Sequence, residues 1–384
     1  MNLDRTDRVV LALAVGCFIL AGLTGAFFRF GMMGLSSWGF KMENIRHAHS
    51  HLMYFSWATP ALFILVAPKD VWIQRAAIST LILGVISYPF FLMYGYDVVT
   101  YGSVSLPPSA IVSGAIMLTW YAFGLRWVLL KKSAGGFGDT LETTSVVFLI
   151  LSSFGAWGIS FAVPLGLANP VWIESFKHLF LGFFTEGWLT LASISIILSR
   201  TSRRDILQFS IPPFILGLLV VGISASYVLG MPSELVRESV QWLGKVSAFC
   251  MGIAMLWIGV AMWKRTTGWW RLPVAALCAK ALSLAIIAPW PGIWWADRHQ
   301  DRILFLHLLL LGIVSMTIAL SAVRNQRAAV PYYLSVCLLL AMLVPVSSFW
   351  IFPSIALTWV YLIAGVSLLP VVAAGFIVRD LIRS

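Results

Sequence analysis

The chain has 384 residues, of which 60% are hydrophobic and only 11% charged, with a net charge of +11 and a mean hydropathy of +0.91. A soluble globule of this size carries about a quarter of its residues as charges, so a water-soluble fold is excluded. The basic residues stand at the ends of apolar runs rather than on one polar segment, a footprint of membrane topology and not of nucleic-acid binding.

Runs of about 20 apolar residues, long enough to cross a bilayer core at helical rise, follow one another from end to end. They predict spans at about 8–28, 48–67, 76–96, 108–130, 143–168, 177–198, 207–230, 240–263, 271–290, 303–323, 332–351 and 356–378. The opening MNLDRTDR leads into the first run with no small-residue cleavage site, which predicts a retained span. Pro60, Pro89, Pro164 and Pro345 fall within runs as tolerated kinks. No connection is long enough for a soluble domain. The fold class predicted is therefore all-α, a polytopic bundle of about twelve transmembrane helices forming a single membrane domain over 1–384.

Alternate loops differ in basic charge. One side carries 17 Lys and Arg residues, among them Arg5, Arg8, Lys131, Lys132, Arg203, Arg204, Lys264, Arg265 and Arg271. The other carries 8: Arg29, Lys41, Arg46, Lys177, Arg237, Lys245, Arg298 and Arg302. The richer side is expected in the cytoplasm, which puts both termini inside and suits a bacterial-type inner membrane. Cys17, Cys250, Cys278 and Cys337 show no CxxC spacing and read as small hydrophobes. Segments 31–47 and 290–302 mix tryptophan with charge and read as interfacial pieces or an aromatic belt.

All six histidines fall on the poorer, outer side. His47, His49 and His51 open the second span in RHAHSHLMYFSW. His178 opens the sixth in FKHLFLGFFTEGW, and His299 and His307 flank the start of the tenth in DRHQDRILFLHLLLL. An ionisable group at membrane depth is by default a functional candidate, and a neutral imidazole is a ligand for haem iron, copper or zinc. His307, inside a leucine-rich run, is the least easily explained as a solvated residue. In the HAHSH string a helix places His47 and His51 on one face, whereas an extended strand aligns all three. His299 sits among Asp297, Arg298 and Asp301 and reads as a loop residue.

Twelve spans with histidines on the second, sixth and tenth near the outer face resemble the heme-copper oxidase subunit I superfamily. The HAH string and short length are also similar to its NnrS-like branch, linked to nitric oxide. The resemblance implies a b-type haem clamped by a span-two and a span-ten histidine. By position these are His49 or His51 and His307; His178 corresponds loosely to a copper ligand on span six. It also implies haem propionates paired with outer cations such as Arg298 and Arg302, and an electron donor, a quinol or a cytochrome. The seventh span carries no histidine and no HPEVY string follows His178, so the resemblance implies haem more directly than an oxygen-reducing haem–copper centre.

Two other readings use the same residues. A twelve-span secondary transporter would couple through Glu186 and Lys280, the two charges near mid-bilayer. It lacks a G-x-x-x-D-R-x-G signature after span two and a clear half-to-half repeat. A haem-free metalloprotein would hold zinc or copper at His47, His49 and His51.

Overall fold

The computed structural model describes residues 3–34, 38–131, 137–162, 169–201, 212–290, 294–346 and 356–383. It is helical almost throughout, as the apolar runs require of a chain whose backbone must satisfy itself in hydrocarbon. The spanning helices are α1 (Arg5–Met32), α2 (residues 42–66), α3 (Val71–Tyr94), α4 (Pro108–Leu130), α5 (Phe137–Ala162), α6 (residues 170–201), α7 (Pro213–Ser226), α8 (Glu238–Trp263), α9 (Arg271–Ile287), α10 (residues 299–322), α11 (Val330–Leu343) and α12 (residues 356–383, with a break at Ser367). Eleven of the described helices are long and apolar enough to cross a membrane. Residues 42–66 of α2 are also continuously helical but are not among these eleven. The predicted ends at 163–168, with Pro164, and at 207–211 and 347–351 lie outside the described residues.

The helices fall into two compact units. In the unit formed by Met1–Lys131 and Ile318–Ser384, Phe18 on α1 packs against Trp57 at 5.4 Å and Tyr332 at 5.7 Å. Phe63 lies flat on Phe123 at 3.6 Å. The C-terminal end of α3 stops at Gly95, whose φ of +58° suits a residue without a Cβ. The Asn44 side-chain amide donates to the carbonyls of Leu92 and Met93 there. A two-stranded hairpin follows, with Val99 paired to Leu106 and Tyr101 to Val104; the sequence reading had only a loop there. Its turn is made at Gly102, φ +62°.

In the unit Lys132–Thr317, glycines bring backbones together. A Cβ at Gly252 on α8 would stand 2.8 Å from the Ala285 nitrogen of α9, and one at Gly222 on α7 would stand 2.7 Å from the Met251 nitrogen. Small residues are what let spanning helices approach this closely.

At the other end of α3, Asp70 caps the helix through the amides of Trp72 and Ile73. It also takes both arms of Arg126 on α4, at 3.0 and 2.7 Å. That guanidinium, helped by the cap amides, holds the Asp70 carboxyl down at about 2, against an ordinary 3.8. A depressed carboxylate lends stability that is complete above the unfolded value and is lost as pH falls through the folded one. Thermal unfolding in detergent should therefore weaken between about pH 4 and pH 2, and more steeply for the native chain than for Asp70→Ala. At neutral pH that variant should be destabilised by about 1–2 kcal/mol, the scale of a lost cap.

Candidate functional site

The three spans that carry the histidines share a further feature. Each contains a π-helical stretch: Leu52–Ala58 in α2, Phe183–Leu189 in α6 and Leu308–Ser315 in α10. The wider i to i+5 turn is closed by the amide of Thr59 on the Tyr54 carbonyl, of Thr190 on Thr185 and of Met316 on Leu311. No other described span contains one. Such insertions are rare and concentrate at functional sites.

The same spans align in sequence. Residues 47–59 (HAHSHLMYFSWAT), 178–190 (HLFLGFFTEGWLT) and 305–317 (FLHLLLLGIVSMT) superpose without a gap. Thr59, Thr190 and Thr317 coincide, as do Trp57 and Trp188. His47 then matches His178, and His49 matches His307. The repeat is thus one of four spans, which a search for two matching halves does not find. A neighbour repeats as well: Gly25 of α1 faces His49, and Gly155 of α5 faces Phe180, the residue in the matching position.

The helix of α2 already begins at Met42, so the helical alternative for the HAHSH string holds. His47 and His51 share a face. The His51 ring lies against Phe91 at 3.7 Å and its Nε2 is 3.1 Å from the Tyr96 hydroxyl, while His47 Nε2 is 3.4 Å from Glu43. The buried Nδ1 of His51 has no partner among the described residues. His49 turns the other way, toward α1. Its Nδ1 is 2.6 Å from the Ala21 carbonyl, and because a carbonyl only accepts, that nitrogen carries the proton and Nε2 keeps the lone pair. Gly25 makes room for the ring: a Cβ there would lie 2.8 Å from Cε1.

In the second unit His307 is held in the same tautomer. Its Nδ1 donates to the Ile303 carbonyl at 2.7 Å, again leaving the lone pair on Nε2. His178 differs: its Nε2 is 3.3 Å from Glu174, and its Nδ1 edge fills the space over Gly230, where a Cβ would stand 2.2 Å away. Arg298 lies 3.5 Å from Asp301, and Arg302 donates to the Ala296 carbonyl at 3.2 Å. Among the described residues no three His, Cys, Asp or Glu side chains converge closely enough to hold a metal ion.

Glu186 and Lys280 meet. The Lys280 ammonium, with no exposed surface, donates to Glu186 Oε1 at 2.8 Å and sits 3.3 Å from the centroid of the Phe305 ring. Glu186 belongs to the π stretch of α6, and its second oxygen has no partner among the described residues. Paired charges of this kind are the form in which a membrane interior tolerates ionisable groups. The sequence marked both residues but had no means of showing that α6 and α9 bring them together.

Comparison with models of known protein families and with curated proteins finds no match.

Glu186→Gln should leave the ammonium buried without a counter-charge and lower stability by about 3–5 kcal/mol, whereas replacing both residues with leucine should cost far less. Unfolding of the purified protein in detergent, followed for Glu186→Gln and for the double leucine variant, measures the difference.

Proposed function

We propose that this multi-pass membrane protein binds haem b through imidazole ligands, with His49 and His307 as the candidates. It would act in electron transfer, or in nitric oxide or oxygen chemistry, near the outer face. The observation that carries the reading is the shared tautomer: each imidazole gives its Nδ1 proton to a backbone carbonyl, leaving Nε2 as the donor atom an iron needs. A carbonyl-anchored histidine is also an ordinary way to satisfy a buried ring. The matching register of the two residues, the π insertion beside each and the glycine under His49 favour ligation. His51, enclosed by Phe91 and Tyr96, is a packing residue in this reading.

Bound haem supplies a one-electron couple and an iron able to take a diatomic ligand. The chain's own residues hold the imidazoles in orientation, and Arg298 and Arg302 offer positive charge to propionates. The electron donor would be a quinol or a cytochrome in or beside the same bacterial-type inner membrane. The purified protein should show a Soret band and a reduced α-band of six-coordinate haem b. His49→Ala and His307→Ala should each abolish that spectrum, His51→Ala should keep it, and Gly25→Val should lower haem content several-fold by pushing on His49. A colourless preparation ends the reading.

The Glu186–Lys280 pair favours a second one, proton-coupled transport. Uptake that fails in Glu186→Gln and survives loss of all six histidines would establish it instead.

A further inference from the structure

The cytoplasmic ends of α8 and α9 carry a feature that neither reading uses. The sequence joining them, WKRTTGWWR at 263–271, holds three cations and three tryptophans, and no acidic residue occurs between Glu238 and Asp297. Arg271 stacks over the Trp263 ring at 5.2 Å and spends its Nε on the Thr266 carbonyl at 3.1 Å. Neither Arg271 nor Lys264 has an acidic partner among the described residues.

Directly beside this cluster a groove of about 390 Å³ opens on the outer surface of the helix pair, lined by Val260, Trp263, Lys264, Ala275 and Cys278. Beside it Gly259 lets the two helices lie close, since a Cβ there would stand 2.6 Å from the Cys278 sulfur. Val260 and Trp263 are 47% and 41% exposed, so the walls face lipid.

We propose that this groove is a binding site for an anionic phospholipid of the cytoplasmic leaflet, one acyl chain lying over Val260, Ala275 and Cys278 and the phosphate held by Lys264 and Arg271. The charge complementarity selects an anionic headgroup, because two cations with no acidic partner among the described residues border an apolar trough in the leaflet where such lipids concentrate. The guanidinium is already oriented by Trp263 and Thr266, which lowers the entropy lost on pairing with a phosphate.

Native mass spectrometry of the full-length protein, titrated with phosphatidylglycerol or phosphatidylcholine, tests it. The native chain should retain phosphatidylglycerol preferentially, and Lys264→Gln and Arg271→Gln should each lower that retention roughly fivefold. Ala275→Trp, which fills the trough and leaves every charge in place, should lower it as well. Arg324→Gln with Arg327→Gln, two cations of another cytoplasmic loop, should not. Equal retention of the two lipids by the native chain overturns the proposal. So does a loss in the Arg324/Arg327 control as large as at the groove, or no change in Ala275→Trp.

Discussion

A polar group at membrane depth must find its partner inside the protein, because no water is there to replace one. Much of the detail here follows from that constraint. Hydroxyls in the spans bond back to their own helices, as Ser193 does to the Leu189 carbonyl and Thr185 to Leu181. Others meet across helices, as Thr80 and Thr119 do at 2.5 Å. The Lys280 ammonium reaches the Glu186 carboxylate. The imidazoles of His49 and His307 each take a carbonyl, and in doing so fix which nitrogen carries the proton.

The π stretches belong to the same economy. An inserted residue rotates everything beyond it by about a hundred degrees relative to a regular helix and frees backbone groups that must be satisfied again. Thr190 reinforces the wide turn, its hydroxyl as well as its amide donating to the Thr185 carbonyl, the hydroxyl at 2.9 Å. That the insertions coincide with the three aligned segments argues for a common local design, one histidine-bearing span in every four. Within it the details diverge. The position of His49 is Phe180 in the second copy, and the position of His47 is Phe305 in the third. There Phe305 serves as the ring beneath the Lys280 ammonium.

The groove where the end of α8 meets the start of α9 shows the converse of the first constraint. At the membrane boundary charges need no internal partner, because water and lipid headgroups supply one. Lys264 borders the surface groove, whereas Lys280, nine residues further along α9 than Arg271, is fully buried inside the protein and is paired with Glu186. Burial thus decides which cation must be paired within the protein.

The all-α class and the order of the apolar helices were determined by the sequence itself, since a run of apolar residues matched to bilayer thickness has one stable solution, a helix. Even α2, the least apolar span, was legible once its histidines were read as guests in a run. What only the tertiary structure decided is direction: which way each imidazole turns, and which distant group meets it. His49 and His51 look equivalent in HAHSH, yet two residues of helix set them about 200° apart, one toward the Ala21 carbonyl and the other into the Phe91–Tyr96 box. Glu186 and Lys280, 94 residues apart, could be suspected as a pair but not shown to be one. Helical periodicity is local and can be counted along a chain; the packing of one helix against another depends on side-chain shape and glycine placement, which counting does not reach.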